Sequence, residues 1–256
     1  MESEKLEDAA QFLAKARRAG IPGPRLPDDL RPADLESALA VQRRVADLLG
    51  QAVGGWKCAL PSAERPINAA RIFASTIRAS SPFPVVATGD IARIEPEVAF
   101  VMGRDLPKRA TPYAEAEIRA AVAESRLVLE ILGTRYADPG AVSWPEMVAD
   151  SVQNQGLFLG PEFSRGFDPS LRSFPISIRT PSGALSTHDG RHGDGHPLNP
   201  LYWLANFLAD RDEGLREGQV VTTGSYAGAI EVPIGPRLTV TYGDLGDVEI
   251  ELQRAP

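Results

Sequence analysis

The sequence predicts an α+β protein in which a helical N-terminal part precedes an antiparallel or mixed β-structure. Two segments, residues 5–19 and 33–50, place apolar side chains at helical spacing. After Gly54 and Gly55 the pattern changes to short apolar runs interrupted by Gly, Pro and Asp, as is typical of strands. Few helices separate these runs, which argues against an alternating βαβ array.

The elements are predicted in the following order. The first two helices cover 5–19 and 33–50, with Asp34 early in the second, where its charge suits the helix dipole. The predicted strands are GWKCAL, RIFASTI, FPVVAT, EVAFVMG, LVLEIL, GLFLG and FPISIRT. Two further helices are predicted over about 112–123 and 197–210. The alternating tail, RLTVTYGDLGDVEIEL, predicts a hairpin that turns near Gly243–Gly246.

Composition and charge exclude several classes of protein. The 256 residues carry a formal net charge of -7, and no basic patch suits a nucleic acid. A single cysteine, Cys58, cannot form an internal disulfide, which indicates a reducing compartment. The first residues lack the apolar core of a signal peptide, and no run approaches the roughly 18 apolar residues of a membrane span. We therefore expect a soluble cytoplasmic protein.

The stretch IEPEVAF carries two carboxylates at the start of an apolar run. On a strand, Glu95 and Glu97 project from the same face, and Pro96 between them indicates a strand start, an edge or a bulge. Two like charges at this spacing repel each other. They therefore either form a solvated strand end or bind a cation.

A third carboxylate, Glu130, lies inside the apolar run LVLEIL, where a lone charge is rarely left unpaired. Glu95, Glu97 and Glu130 could thus form one site. Ligands that are all oxygen favour a hard cation, Mg²⁺ or Mn²⁺, over zinc.

Lys57 stands in the apolar stretch GGWKCAL. Either it is an edge lysine whose ammonium reaches water, or it is buried and faces the carboxylates. A buried lysine of the second kind can pair with a substrate carboxylate or transfer protons. Cys58 should point to the opposite face and belong to the core.

The three histidines, His188, His192 and His196, fall four residues apart in HDGRHGDGH. On a helix this spacing would form a metal-binding face, but the glycines make a helix unfavourable. We therefore predict a mobile Gly-rich loop near the predicted metal pocket instead of a zinc site. The segment Thr223–Ser225 is either a tight turn after a strand or a substrate contact.

Several blocks together resemble a known family. EPEVAFVMGRDL, LEILGTRYADP, GHPLNPLYWLAN and EGLREGQVVTTGSYAGAIEVPIG follow one another in the order and spacing of the 2-keto-4-pentenoate hydratase branch of the fumarylacetoacetate hydrolase superfamily. The resemblance runs from about residue 35 to the C-terminus. It implies a mixed β-roll, with residues 1–80 forming the helical part and first strands and 81–256 forming the catalytic β-roll domain.

The resemblance also implies the site. Glu95, Glu97 and Glu130 match the family's ligands for Mg²⁺ or Mn²⁺, and Lys57 matches the lysine of its G-[YW]-K motif, which makes Lys57 the catalytic candidate. The positions it implies for substrate binding are His196, Thr223, Gly224 and Ser225. One feature departs from the family: the segment 61–70 lacks an aspartate that relatives carry after the lysine. Glu64 or Asn68 is the candidate substitute.

The resemblance leaves three functions to weigh. The first is a metal-dependent lyase that hydrates a 2-hydroxy-2,4-dienoate in aromatic catabolism, with decarboxylation of a 2-oxo diacid of the 4-oxalocrotonate type as the alternative. Hydrolysis is disfavoured, because hydrolases of the superfamily use a histidine before the metal motif and this chain has none before His188. The third is a non-catalytic partner subunit or a small-acid binding protein. The expected partners are the small acid, further copies of the chain and a pathway enzyme.

Overall fold

A computed structural model describes residues 1–62, 68–87, 89–211 and 213–255. The helices are α1 (Ser3–Ala19), α2 (Leu35–Leu49), α3 (Glu115–Arg119), α4 (Trp144–Ala149) and α5 (Leu198–Ala209). The strands are β1 (Val53–Ala59), β2 (Asn68–Phe73), β3 (Ile77–Arg78), β4 (Phe83–Val85), β5 (Ile91–Met102), β6 (Val122–Leu132), β7 (Asn154–Glu162), β8 (Ser173–Thr180), β9 (Gly183–Arg191), β10 (Val220–Thr222), β11 (Ile230–Pro233), β12 (Arg237–Tyr242) and β13 (Gly246–Arg254). Over these described ranges, no helix combines the length and hydropathy needed to cross a bilayer.

The two N-terminal helices confirm the prediction from spacing. α2 begins with a capping box, in which Asp34 Oδ1 accepts a hydrogen bond of 2.7 Å from the backbone N–H of Ser37. Gly20 and Gly50 cap the C-termini of α1 and α2, both at φ 62°, a left-handed conformation that glycine adopts without steric cost. The helices pack on each other, and α2 also packs on α4.

The larger sheet is mixed and wraps into a roll. Its strands follow the order β2-β1-β10-β5-β6-β7-β3, with β11 added to β5. The two ends of this path, β2 and β3, are consecutive in the chain and are joined by the short turn Ala74–Thr76. Because one bent segment pairs with β1 at one end and β7 at the other, the sheet closes on itself. The predicted α+β class and the mixed β-roll are confirmed.

Side-chain alternation divides the roll into an outer and an inner face. The outer face carries the main core of the molecule, which also contacts the helices. The inner face carries a smaller cluster of buried apolar residues, namely Ile72, Ala99, Val128, Leu157 and Val220. The inner face is thus separate from the main core, and the predicted site residues of β1, β5 and β6 lie on it.

The smaller sheet has the order β4-β13-β12-β8-β9 and contacts the roll at β6 and β7. One hydrogen bond ties the two sheets together, since the hydroxyl of the buried Tyr242 donates to the carbonyl oxygen of Val128 at 2.6 Å. β12 and β13 form the hairpin predicted for the tail.

Two predicted elements are wrong. The helix expected over 112–123 is reduced to α3, because the chain from Val122 onward pairs with β5 as β6, and this long-range pairing overrides local helix propensity. The Gly-rich histidine segment was predicted as a loop, but residues up to Arg191 belong to β9 and pair with β8. α4, β9 and β11 were not predicted, whereas α5 confirms the helix over 197–210.

The division into residues 1–80 and 81–256 stays a prediction. The larger sheet takes β1, β2 and β3 from the first part and β5, β6 and β7 from the second.

Candidate active site

Strand register brings the three glutamates together. β5 and β6 are antiparallel with Glu95 directly opposite Glu130, and Glu97 follows two residues later on the same face. One carboxylate oxygen from each of the three residues lies within 4.8 Å of the other two. Glu97 and Glu130 are 2% and 0% exposed, whereas Glu95 is half-buried. Three carboxylates this close repel one another unless protons or a cation reduce their charge.

The hydrogen bonds around the glutamates leave room for a cation. Glu97 Oε2 accepts from the N–H of Gly224 at 3.0 Å and from the hydroxyl of Thr222. Glu130 Oε1 accepts from the Asn154 amide at 2.8 Å. Glu130 Oε2 is buried and has no hydrogen-bond partner in the described part of the chain. An orphaned carboxylate oxygen beside two more carboxylates fits a hard divalent cation, which takes oxygen ligands.

The pKa shifts of Glu97 and Glu130 also indicate a site that suits a divalent cation. Burial raises the pKa of Glu97 to about 8, and the nearby charges of Glu130 and Glu95 add to the rise. Burial also raises the pKa of Glu130, although the ammonium of Lys57 opposes the rise. Without a cation, Glu97 therefore tends to hold a proton at neutral pH, and a metal ion has to displace it.

Lys57 lies on the inner face of β1, opposite Thr222 of β10, and is 7% exposed. Its Nζ is 2.7 Å from Glu130 Oε1 and donates to the carbonyl oxygen of Val152 at 3.2 Å. Burial lowers the pKa of Lys57, but the charges of Glu130, Glu95 and Glu97 outweigh burial and raise it overall. Lys57 is therefore a buried ammonium that faces the carboxylates. This is the second of the two interpretations of GGWKCAL, and Lys57 is not an edge lysine that reaches water.

Cys58 points away from the site, as its position on the strand predicted. Its Sγ lies 3.5 Å from the carbonyl oxygen of Pro200, and burial raises the pKa of the thiol well above its ordinary value. It belongs to the core and is a poor nucleophile.

An unusual backbone segment presents the carbonyl group that Lys57 contacts. Ser151, Val152 and Gln153 have φ angles of 56°, 49° and 62°, and three successive non-glycine residues at positive φ are rare, most of all with a β-branched one. Arg135 holds the segment at both ends, donating to the carbonyl oxygens of Asp150 and Asn154 at 2.6 and 3.0 Å. No local sequence pattern indicates this segment.

The turn after β10 is only partly as predicted. The N–H of Gly224 reaches Glu97, but Thr223 Oγ1 donates to the carbonyl oxygen of Val98 and Ser225 Oγ to that of Gly228. The residue that was missed is Thr222. Strand alternation could have indicated it, because Thr222 lies two residues before Gly224. Substrate binding by Thr223, Gly224 and Ser225 stays a prediction.

The histidines do not converge on a cation. His188 lies on β9, 3.0 Å from Ser186 Oγ, and Nδ1 of His192 accepts from the backbone N–H of Asp194. Nε2 of His196 is 3.1 Å from the carbonyl oxygen of Asp168, and its Nδ1 accepts from a backbone N–H. In the ranges covered by the structure, the glutamates form the only group of potential metal ligands. His196 as a substrate-binding residue stays a prediction, although its two ring nitrogens are engaged within the fold.

The segment after Lys57 is only partly described. Glu64 lies outside the described residues, so its predicted role is untouched. Asn68 begins β2, and its side-chain oxygen is buried without a hydrogen-bond partner among the described residues. An aspartate does reach this end of β1 from elsewhere, because Asp194 Oδ2 accepts from the N–H of Leu60 at 2.9 Å.

A mixed β-roll with converging carboxylates and a buried lysine on its inner face defines a chain of the fumarylacetoacetate hydrolase fold. The structure is similar to that of 4-oxalocrotonate decarboxylase from Pseudomonas putida G7 complexed with magnesium and adipate, with a TM-score of 0.79, 20% identity and 99% of each chain covered. The same enzyme complexed with calcium and acetate gives a TM-score of 0.76, at 20% identity and 99% coverage of each chain. A putative fumarylacetoacetate hydrolase family protein from Yersinia pestis CO92 gives 0.52, with 15% identity over 77% of this chain and 91% of that one.

The chain belongs to the 2-keto-4-pentenoate hydratase family. It is 30% identical to 2-keto-4-pentenoate hydratase 2 of Dechloromonas aromatica (strain RCB), over 94% of this chain and 95% of the relative. It is 29% identical to 2-keto-4-pentenoate hydratase of Paraburkholderia xenovorans (strain LB400), over 98% and 93% of the two chains. No protein-family model matches the sequence.

Proposed function

We propose that this chain is a divalent-metal-dependent hydro-lyase that converts a 2-hydroxy-2,4-dienoate of the 2-keto-4-pentenoate type to a 4-hydroxy-2-oxo acid. The observation that carries the proposal is the convergence of Glu95, Glu97 and Glu130 beside the buried ammonium of Lys57. Family membership, with relatives named as hydratases of this substrate, supports the reaction class.

Glu95, Glu97 and Glu130 would hold the cation, and their oxygens would favour Mg²⁺ or Mn²⁺ over zinc. A divalent cation bound there would supply Lewis-acid stabilisation of the negative charge on the substrate. Gly224 and Thr222 orient Glu97, and Asn154 orients Glu130, so the carboxylates are fixed before the cation binds.

Lys57 supplies a positive charge and a mobile proton. The glutamates would repel an anionic substrate, and the Lys57 ammonium, 2.7 Å from Glu130, offsets that repulsion. During ketonisation the enol proton leaves the C2 oxygen and a proton is gained at C5. Water then adds its hydroxyl at C4 and its proton at C3. The Lys57 ammonium is placed to give the proton gained at C5, and the amine that remains accepts the enol proton of the C2 oxygen, so that the lysine ends as an ammonium again.

The test is a spectrophotometric assay with 2-hydroxypenta-2,4-dienoate and Mg²⁺, with the product identified by mass spectrometry. Loss of the dienol absorbance with a 4-hydroxy-2-oxo acid as product supports hydration. EDTA should abolish the activity, Mg²⁺ or Mn²⁺ should restore it, and Zn²⁺ should not be the preferred ion. Release of CO₂ from a 2-oxo diacid would instead assign the chain as a decarboxylase.

Decarboxylation is the second candidate, because it proceeds through the same enolate and the fold is shared with a 4-oxalocrotonate decarboxylase. If the wild-type chain binds Mg²⁺ and a 2-oxo acid but does neither reaction, it is a non-catalytic partner subunit. A place in aromatic catabolism, a cytoplasmic location, a homo-oligomeric state and association with a pathway enzyme belong to the same proposal.

A further inference from the structure

A pocket of about 350 Å³ lies on the outer side of the roll, apart from the candidate active site. We call it the Arg17 pocket. Neither Lys57 nor any of the three glutamates lines it, and Phe73, which belongs to the core on the outer face, forms part of its wall. Its volume is within the range of pockets that hold small molecules. The residues on which its chemistry depends are Arg17, Arg18, Ile21, Leu49, Phe73 and Arg135.

The charge of the Arg17 pocket is positive. Three arginines line it, and no carboxylate does so within the ranges that the structure describes, although the whole chain has a net charge of -7. Arg18 donates to the carbonyl oxygen of Leu48 at 2.5 Å and forms no ion pair within 4.0 Å with a described carboxylate. The pocket therefore attracts anions.

Arg17 is largely buried, and its charge is only partly compensated. Its side chain is 13% exposed, and its Nη2 is 3.6 Å from Asp150 Oδ1, the same oxygen to which Arg135 Nε donates. Burial and the charge of Arg135 lower the pKa of Arg17 to about 9. The Nε of Arg17 is buried and has no hydrogen-bond partner in the described part of the chain. A buried donor on such a cation calls for an acceptor.

The rest of the wall is largely apolar. The Arg17 guanidinium lies over the ring of Phe73, with its Cζ 5.2 Å from the ring centroid. Leu49 also lines the pocket, and Ile21, which is 71% exposed, lies at its rim. An exposed isoleucine beside a cationic pocket suits a ligand that has an apolar part as well as a charge.

The charge balance favours a carboxylate over a phosphate. Arg17 and Arg135 share the single carboxylate of Asp150, which leaves one net positive charge among the three groups. One carboxylate neutralises that charge, whereas the second negative charge of a phosphate would remain in a pocket with apolar walls.

Arg17 also connects the pocket with the segment that Lys57 contacts. Its Nη2 donates to the carbonyl oxygen of Asp150 at 3.0 Å. Asp150 directly precedes the left-handed segment 151–153, in which Val152 accepts a hydrogen bond from Lys57. Because the atom without a partner is Nε, an acid can bind to Arg17 without breaking its contact with Asp150. A bound acid would therefore hold Arg17, and with it the start of this segment, in place.

We propose that the Arg17 pocket is a second ligand site, which binds a monocarboxylic acid with a short apolar chain and thereby fixes the segment 151–153. The carboxylate accepts from Arg17 Nε, and the chain packs against Phe73, Leu49 and Ile21. This site is additional to the proposed function and does not depend on it.

Calorimetric titration tests the ligand class, with pentanoate, its uncharged counterpart pentanamide and inorganic phosphate as probes. The protein is freed of metal with EDTA, and the EDTA is then removed by dialysis. Pentanoate should bind at one site per chain, and pentanamide at least about tenfold more weakly, because it lacks the charge that Arg17 binds. Phosphate that binds as tightly as pentanoate would overturn the carboxylic-acid class. Absence of pentanoate binding would overturn the whole proposal.

Two variants test the contacts. Arg17→Met removes the charge but keeps a long unbranched side chain, and it should weaken pentanoate binding at least about tenfold, whereas Arg179→Met, at an exposed arginine of β8, should not. Ile21→Ser changes an exposed side chain, so the fold is preserved, and it should weaken pentanoate about threefold. Leu185→Ser, at an exposed leucine of β9, is its control. Wild-type affinity in both Arg17→Met and Ile21→Ser would exclude the pocket.

Hydrogen exchange measured by mass spectrometry locates the bound acid and tests its effect on the fold. Pentanoate should slow amide exchange in residues 150–153 of the wild-type protein but not of Arg17→Met. Protection confined to β5 and β6 would instead place the acid at the glutamates and contradict the proposal. The metal-free protein is used throughout, so these results do not depend on turnover, and failure of the proposed reaction would leave them unchanged.

Discussion

Two groups of buried carboxylates in this fold are held in opposite ways. Glu146 and Asp150, on and directly after α4, are fully buried, and each is paired with arginine. Arg25 holds Glu146 with two hydrogen bonds of 2.8 and 2.5 Å, and Arg135 holds Asp150 through its side chain and its backbone N–H. These two carboxylates have the partners that burial requires.

Glu97 and Glu130 are buried to the same extent but have less compensation. Among the residues that the structure describes, Lys57 is their one close cation, and they face each other and Glu95. Burial raises the pKa of Glu97, whereas at Glu146 the hydrogen bonds from Arg25 and Ser143 outweigh burial and lower the pKa. The difference teaches that burial alone does not indicate function. A buried carboxylate that lacks partners for its charge points to a missing ligand.

The largest effect is expected at Lys57, the cation that pairs with Glu130 in the second group. Lys57→Ala, assayed with saturating Mg²⁺, should lower turnover by about 10²–10⁴-fold, because a proton-transferring group is lost. Metal affinity should change far less, because the three glutamates remain. Lys57→Arg should rescue poorly, since a guanidinium is larger and does not release its proton. Equal activity of Lys57→Arg and wild type would rule out proton transfer by this residue.

The next effect concerns the paired group. Asp150→Ala should lower the free energy of unfolding by about 3–5 kcal/mol, because it leaves the buried Arg135 guanidinium without its carboxylate. Denaturant unfolding measures the loss. Asp244→Ala breaks an exposed ion pair with Arg165 and serves as the control, for which little change is expected. If both variants unfold at the same denaturant concentration, the ion pair between Asp150 and Arg135 does not stabilise the folded protein.

For the group of Glu95, Glu97 and Glu130 the outcome should be reversed. Glu97→Gln should lower Mg²⁺ affinity by at least about a hundredfold. It should leave the stability of the metal-free protein unchanged at neutral pH, where Glu97 tends to hold a proton, and raise it at higher pH, where the substitution removes a repelling charge. Calorimetric titration with Mg²⁺ and thermal melts in EDTA provide the two readouts. Glu162→Gln, an exposed carboxylate on β7, is the control. Normal Mg²⁺ binding by Glu97→Gln would remove Glu97 from the ligand set.

A smaller effect is expected from pH. The folded pKa of Glu97, about 8, lies above its ordinary value of 4.5, so the folded chain binds this proton more tightly than the unfolded chain. The associated stability is complete below about pH 4.5 and is lost as the pH rises through about 8. Melting temperatures in EDTA should therefore fall from pH 6 to pH 9, and Glu97→Gln should flatten the profile. A profile that rises over this range in wild type would contradict the assignment.

The smallest effect is expected at the histidines. His188→Ala and His192→Ala should leave the metal content per folded protein unchanged, because neither ring faces the glutamates as a ligand group. Elemental analysis of the purified variants measures this. Stoichiometric loss of metal from either variant would return the histidine segment to the candidate sites.

Local periodicity was enough to determine which face each site residue occupies. The two-residue repeat placed Glu95 and Glu97 side by side and Cys58 opposite Lys57, because successive strand side chains point to opposite faces. Apolar surroundings likewise marked Glu130 and Lys57 as charges in need of partners. The two N-terminal helices could be predicted from the spacing of their apolar residues and from their capping residues, because these signals lie within a few residues of each other.

Only the tertiary structure decided how these faces meet. The pairing of Glu95 with Glu130 depends on the register of β5 and β6. β6 begins at Val122, where it replaces the end of the helix predicted over about 112–123, because pairing with β5 outweighs local propensity. Thr222 and Asn154 reach the glutamates from distant parts of the chain. The left-handed segment 151–153 exists because buried contacts from Arg135 hold it. Register, closure and strain are set by contacts between residues far apart in sequence, so no local pattern records them.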